Sequence, residues 1–309
     1  MRRSRRRWPS EHTQPAVNVS RRQLLALAAL TCMWGLNWPL MKFALRELSP
    51  LYFRALTMTF GAAWLYFYFR ARGIRMTPSG REWGSIVQLG STNMFGWHCV
   101  SILGVKELAS GRAAVLGFTM PVWTVLLGAW LFGERLTARA LVATASVAVA
   151  IGLLLAHEFS TLTGRPLGVL WMELGALLWA IGTLMMRRST STLPVQALTV
   201  WMMILSSLAL WALALALEPW PTWQFSAGMW GSLAYGVVIN YGIAQVIWFG
   251  LARELPPTTS AMSIMAIPLI GTLSATFIVA EWPHWQDLVA ALFVTAAIAC
   301  VLLPPRKTP

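Results

Sequence analysis

The side chains that could do chemistry in this chain are amides, one imidazole and one phenol set inside long apolar runs. Polar groups in such surroundings are unfavourable unless they face a partner or a wet cavity, so they are candidate binding groups. The polar candidates are Asn37, Asn93, His98, Asn240, Tyr241 and Gln245. Hydrogen bonding between neighbouring helices is the alternative role, and amide side chains commonly supply it.

Tryptophan is the second candidate binding group, because the chain holds 18 of them. An indole wall suits a flat apolar or aromatic ligand and attracts an ammonium group through its π face. Trp97 lies one helical turn from Asn93, and Trp248 two turns from Asn240, so each shares a face with a polar candidate. The indoles predicted to line a binding site are Trp34, Trp38, Trp97, Trp179 and Trp248. Packing against lipid is the alternative for any one of them.

Catalytic, metal and nucleic-acid chemistry find little support. The four histidines are scattered singly, and no HExxH, GxSxG or P-loop motif is present. The three cysteines lie inside apolar runs, without metal-ligand spacing or a disulfide pattern. Basic residues occupy tails and short connections rather than one face, which argues against nucleic-acid binding. We therefore predict no enzyme activity, no cofactor, no metal and no nucleic-acid partner.

The elements that must position these groups are membrane helices. Hydrophobic residues make up 57% of the 309 residues and charged residues only 11%, which indicates an integral membrane protein with the lipid bilayer as its partner. Ten apolar stretches are each long enough to cross a bilayer as a helix. They are 23–45, 50–69, 83–104, 109–132, 137–156, 166–187, 195–217, 227–250, 257–280 and 285–303. The predicted fold class is therefore all-α, with ten transmembrane helices.

A duplicated frame organises the ten stretches. Glu107, Pro121 and Glu134 recur as Glu254, Pro268 and Glu281 at a constant offset of 147 residues, which predicts two related halves. Five spans per half is an odd number, so the second half must enter the membrane inverted. We predict five-helix repeats at 23–156 and 166–303. A disordered basic tail at 1–22 and a short tail at 304–309 flank them.

The repeat also pairs candidate site residues. At the same offset, Asn93 aligns with Asn240 and His98 with Gln245. Inverted repeats place a substrate site near the membrane midplane and let the halves rock about it. Pro121 and Pro268 each break a helix in mid-span, as hinges for that motion or as passive kinks.

Orientation follows from Lys and Arg. With both termini in the cytoplasm, 18 of the 24 basic residues fall on the cytoplasmic side and five on the other, with Arg54 inside the second span. Arg54 and Glu173 lie a turn or two from the outer face, where snorkelling to the interface accounts for them. With no carboxylate expected near the midplane, the coupling ion is a proton taken up by His98 or none at all.

Two stretches resemble the EamA family of the drug/metabolite transporter superfamily. They are WGLNWPLMKFAL at 34–45, followed by Ser49-Pro50, and the span from Pro121 that ends in LFGERLT at 131–137. In the second half, Trp282-Pro283 replaces the Arg-Leu of that ending. The Trp97-His98 pair is most similar to the bacterial aromatic amino-acid exporters of the YddG type.

The resemblance implies a basket-shaped carrier in the bacterial inner membrane with a central cavity. It would export a small-molecule substrate, an aromatic or other neutral amino acid, by alternating access. The alternatives are an efflux pump for cationic drugs, which would be expected to have a midplane carboxylate, and a carrier for nucleosides or sugar-like metabolites. A channel of similar composition would differ in lacking saturable counterflow.

Overall fold

The computed structural model describes residues 20–134, 136–160, 165–254 and 266–302, and this part of the chain is helical with no strand. The first half contains α1 (Arg21–Ala44), α2 (Pro50–Ala71), α3 (Glu82–Gly90), α4 (Trp97–Glu107), α5 (Ser110–Gly117), α6 (Met120–Phe132) and α7 (Ala138–Ser160). The second half contains α8 (Pro166–Arg187), α9 (Val195–Leu217), α10 (Ala227–Ala234), α11 (Ala244–Glu254), α12 (Ile267–Ile278) and α13 (Trp285–Leu302). Most of the two predicted tails, and residues 257–265 of the ninth predicted span, lie outside the described residues.

Six helical segments of the described chain are long and apolar enough to cross a membrane. They are Arg21–Ala44, Ser110–Phe132, Ala138–Ser160, Pro166–Arg187, Val195–Leu217 and Ala227–Leu251. The helices α12 and α13 are apolar but shorter. The all-α membrane architecture is therefore confirmed, whereas the number of ten crossings stays a prediction.

Local sequence sets where several helices begin and end. The Ser20 hydroxyl accepts a hydrogen bond from the backbone N–H of Gln23, and the Gln23 side chain accepts one from the Ser20 N–H, so a reciprocal cap starts α1. Pro50 and Pro166 open α2 and α8, where a missing N–H does no harm. Gly133, with φ at +64°, ends α6 in the left-handed conformation that glycine favours.

Packing between helices relates the two halves. Helix α2 packs on α9 and α7 on α13, and each of these pairs joins equivalent positions of the two repeats. Helix α4 packs on α8, and the equivalent contact of α11 and α10 with α1 is also present. Exchanging the halves thus converts each of these contacts into another observed contact, as a duplicated architecture requires.

Wide π-helical turns interrupt the third and eighth predicted spans. Ser91–Gly96 separates α3 from α4, and Tyr235–Ile243 separates α10 from α11. The two turns overlap at an offset of 147 residues and contain Asn93 and Asn240. Turns of this kind are frequent at functional sites. The sequence did not indicate these turns, although both spans remain helical throughout.

The predicted break at Pro121 is present. Pro121 is the second residue of α6, and α5 ends at Gly117, four residues earlier. A proline has no N–H to donate to the carbonyl four residues before it, which favours a kink or a break in the helix at that turn. Pro268 is the second residue of α12, and residues 255–265 before it lie outside the described chain. Whether the two prolines act as hinges stays a prediction.

Candidate functional site

Three of the predicted indoles meet at the break in the fourth span. A β-carbon added to Gly117 would lie 2.8 Å from the Trp38 ring and 3.2 Å from the Trp97 ring. The Trp97 and Trp179 rings meet edge to face, with centroids 5.6 Å apart. Trp38 and Trp97 are buried, and Trp179 is half-buried. Helices α1, α4 and α8 therefore bring these indoles together around a glycine that leaves room for them; we call this set the indole cluster.

The other two predicted indoles form a separate pair. Trp34 and Trp248 lie with ring centroids 5.6 Å apart, and both are half-buried. Trp34 is one turn before Trp38 on α1, so the pair lies along the same helix as the indole cluster. All five predicted indoles thus belong to two neighbouring groups joined by α1.

Asn93 is a buried amide without a hydrogen-bonding partner for its NH₂ group. Its side chain packs directly on Gly182, where an added β-carbon would fall within 2.6 Å of the amide atoms. The Nδ2 atom has no partner in the described structure. A buried donor left unpaired is unfavourable by about 1–3 kcal/mol, so a ligand that accepts this hydrogen bond would gain from it.

The remaining predicted amides are not assembled around Asn93. Asn240 is buried in its π-helical turn, but no hydrogen bond joins it to Asn93 in the described structure. Asn37 is half-buried and donates to the Met41 sulfur at 3.4 Å, a weak contact along its own helix. Gln245 is half-buried on α11. A cavity shared by Asn93 and Asn240 therefore stays a prediction.

His98 belongs to a buried polar group between three helical segments. The Tyr241 hydroxyl lies 3.3 Å from His98 Nδ1, and Arg54 donates to the same hydroxyl at 3.5 Å. His98 thus contacts Tyr241 rather than its repeat counterpart Gln245. The expectation that Arg54 snorkels to the interface was wrong, since only 4% of it is exposed. Tight packing of α2 on the Tyr235–Ile243 turn encloses it, and Tyr241 supplies the acceptor.

Glu173 also differs from expectation. Its carboxylate accepts hydrogen bonds from Trp123 Nε1 at 2.8 Å and from the Thr119 hydroxyl at 3.1 Å. Thr119 lies at the break between α5 and α6, in the middle of the fourth span, so the carboxylate turns into the protein instead of snorkelling outward. These two donors hold it in that orientation. Sequence reasoning missed this contact because nothing local to Glu173 signals donors some fifty residues away.

Charged residues close one end of the helix bundle. Lys42 Nζ donates to two carbonyl oxygens at the end of α4, at 3.0 and 2.7 Å. Glu281 accepts from the backbone N–H and the hydroxyl of Ser110, at 2.6 and 2.7 Å. At the other end the repeat counterparts, Arg187 and Glu134, are 3.7 Å apart and largely exposed. The two ends are therefore in different states of closure.

A cavity of about 250 Å³ opens at the less tightly bonded end, where α3, α6 and α8 meet. It is lined by Ser85, Gln88, Leu89, Phe132, Met185, Arg188, Ser189 and Thr190. The predicted site residues do not line this cavity. The indole cluster lies at Gly117 and Asn93 lies against Gly182.

The two buried amides give a test of ligand contact against helix packing. We expect Asn93→Ala and Asn240→Ala to weaken the apparent affinity for the transported substrate roughly three- to tenfold, the effect of losing one hydrogen bond. Affinity and melting temperature should be measured on the purified variants, with Gln224→Ala, which changes an exposed amide outside the helices, as the control. Unchanged affinity with a lowered melting temperature at both positions would show that the amides only join helices.

Comparison with known proteins gives consistent matches along the chain. The sequence profile of the EamA-like transporter family matches residues 22–156 and again residues 166–303. The chain is 26% identical over 294 residues to "Uncharacterized transporter YvbV" of Bacillus subtilis, covering 93% of each chain. It is 26% identical over 275 residues to "Probable amino-acid metabolite efflux pump" of Escherichia coli, covering 85% of this chain and 89% of that one. A solved crystal structure matches with a TM-score of 0.64 at 21% identity, over 92% of this chain and 98% of that one.

Proposed function

Because the chain belongs to the EamA-like transporter family, we propose that it exports aromatic or other bulky neutral amino acids by alternating access. That it is a membrane transporter follows from the family; the substrate is our proposal. The observation that carries it is the convergence of Trp38, Trp97 and Trp179 at the break in the fourth span. A similar protein is named as an amino-acid metabolite efflux pump, which supports the same substrate class.

The chemistry of this region suits an amino acid with a flat side chain. Indole rings bury an aromatic side chain well and contact it edge to face. The unpaired NH₂ group of Asn93 offers a hydrogen bond to a carboxylate. Breaks at Pro121 and Pro268 would serve as the hinges that open one end while the other closes.

The proposed orientation is compatible with export. With both termini in the cytoplasm of a bacterial cell, the cavity between α3, α6 and α8 opens to the cytoplasm. The Lys42 and Glu281 contacts then close the outer end. A substrate would enter from the cytoplasm in this state, as export requires.

Efflux of organic cations is the second candidate function. The sequence argued against it, because no carboxylate was expected near the midplane. The inward orientation of Glu173, held by Thr119 and Trp123, removes that argument. An aromatic surface beside a carboxylate also fits a flat cation.

A growth assay separates the two functions. Cells that overproduce the protein are expected to survive toxic analogues of aromatic amino acids, because export lowers their internal concentration. Cells producing Trp97→Ala to the same level should lose most of this resistance, since that ring lies in the indole cluster. Resistance confined to quaternary cations, with none to any amino-acid analogue, would favour the cation pump and contradict the proposal.

A further inference from the structure

Glu173 places a carboxylate beside the indole cluster. Its partner Thr119 is the tenth of the 23 residues of the Ser110–Phe132 span, so the carboxylate lies at mid-span depth of that helix. The preceding residue, Met172, reaches Gly117, where an added β-carbon would lie 3.2 Å from the Met172 methyl group. Trp38 meets the same glycine. The carboxylate and the indoles therefore border one region.

The described chain provides no cation for this carboxylate. No Lys, Arg or His nitrogen among the described residues lies within 4 Å of Glu173, and α6 carries no charged residue. Arg112 of α5 is bound to two other carboxylates. On α4, His98 contacts Tyr241 and Lys106 is exposed at the helix end. A buried carboxylate without a counter-charge in the chain either takes up a proton or pairs with a cation from outside, so Glu173 can accept a cationic partner.

Part of the hydrogen-bonding capacity of the Glu173 carboxylate is also unused. A carboxylate has about four acceptor positions, and Trp123 fills one of them. Thr119 has a single hydroxyl hydrogen, and its oxygen lies nearer to the Leu116 carbonyl, at 2.8 Å, than to Glu173, at 3.1 Å. At least two acceptor positions are therefore left for a ligand. An ammonium group supplies both several N–H donors and the missing positive charge.

We propose that Glu173 binds the ammonium group of the transported substrate, while the indole cluster holds its flat side chain. This inference rests on the proposed function and assigns Glu173 as the group that binds the amine. The transporter would then select aromatic solutes that carry a free amine and reject those that carry only a carboxylate. A primary amine lacking the carboxylate would still bind.

Three indole compounds test this selectivity with purified full-length protein in liposomes. Tryptophan has both charged groups, tryptamine only the amine and indole-3-propionate only the carboxylate. Wild-type protein should bind tryptophan and tryptamine and bind indole-3-propionate much more weakly. Glu173→Gln should weaken the affinity for tryptophan and for tryptamine roughly ten- to hundredfold, the range for losing a hydrogen bond to a charged group. The affinity of this variant for indole-3-propionate should stay the same or rise.

The variant is expected to fold, because a glutamine side chain can still accept from Trp123 and Thr119. Glu107→Gln is the matched control: it removes a carboxylate whose partner, Arg165, is exposed, and should alter none of the three affinities. Equal tryptophan affinity in wild type and Glu173→Gln overturns the inference and leaves the proposed function intact. The wild-type protein could instead bind tryptamine but no amino acid. If Glu173→Gln then weakens tryptamine binding, the ammonium site is supported and amino-acid export is contradicted.

Discussion

Replacing Arg112 by methionine is expected to lower the free energy of unfolding by about 3–5 kcal/mol, the usual result of breaking a buried ion pair. Arg112 donates to Asp287 at 2.7 Å and to Glu158, and no more than 8% of any of these three side chains is exposed. These contacts join α5, α7 and α13. Without the guanidinium, the buried carboxylates of Glu158 and Asp287 would each lose the positive charge that they now contact.

Thermal unfolding of the purified protein in detergent measures this effect. Arg165→Met is the control, because the ion pair of Arg165 with Glu107 is exposed and is worth less than about 1 kcal/mol. The melting temperature should fall strongly for Arg112→Met and little for the control. A small and equal fall in both variants would contradict a structural role for the buried ion pair.

The second large effect is expected at Gly182. The β-carbon of an alanine there would lie 2.4–2.6 Å from three atoms of the Asn93 amide, too close for any unshifted arrangement. Overpacking of this kind destabilises by about 1–3 kcal/mol. The amide must also move, so we expect the affinity for substrate to fall at least as far as in Asn93→Ala.

A double variant identifies the cause. In Asn93→Ala combined with Gly182→Ala, the collision is removed, so the stability lost in Gly182→Ala should largely return. Gly152→Ala is the control, since nothing lies within 4 Å of the added carbon there. If Gly182→Ala behaves like Gly152→Ala in both stability and affinity, the close packing of Asn93 on α8 is contradicted.

Much of the architecture could be predicted because it depends on patterns along the chain. Apolar length gives membrane helices, and a proline in mid-span removes a backbone hydrogen bond, so the break near Pro121 was predictable. The repeat offset paired Asn93 with Asn240, and both lie within π-helical turns. The turns themselves were not predicted, because a π turn changes the hydrogen-bond pattern without a strong residue preference.

Side-chain direction could not be predicted in the same way. Arg54 and Glu173 lie near the ends of their predicted spans, where side chains commonly snorkel to the interface. Both instead turn inward to partners on other segments. Tyr241, Thr119 and Trp123 supply those contacts, and only the packing of the helices brings them near. Chain position fixes how deep a residue lies, whereas tertiary contacts fix which way it points.

Counterflow in liposomes tests most directly that this protein is a carrier for aromatic amino acids. Liposomes containing purified protein and loaded with unlabelled tryptophan should accumulate labelled tryptophan from outside, because a carrier exchanges one molecule for another at a saturable site. Trp97→Ala should abolish most of this accumulation. Labelled amino acids that fail to accumulate, while a quaternary cation does so under the same conditions, would contradict the account.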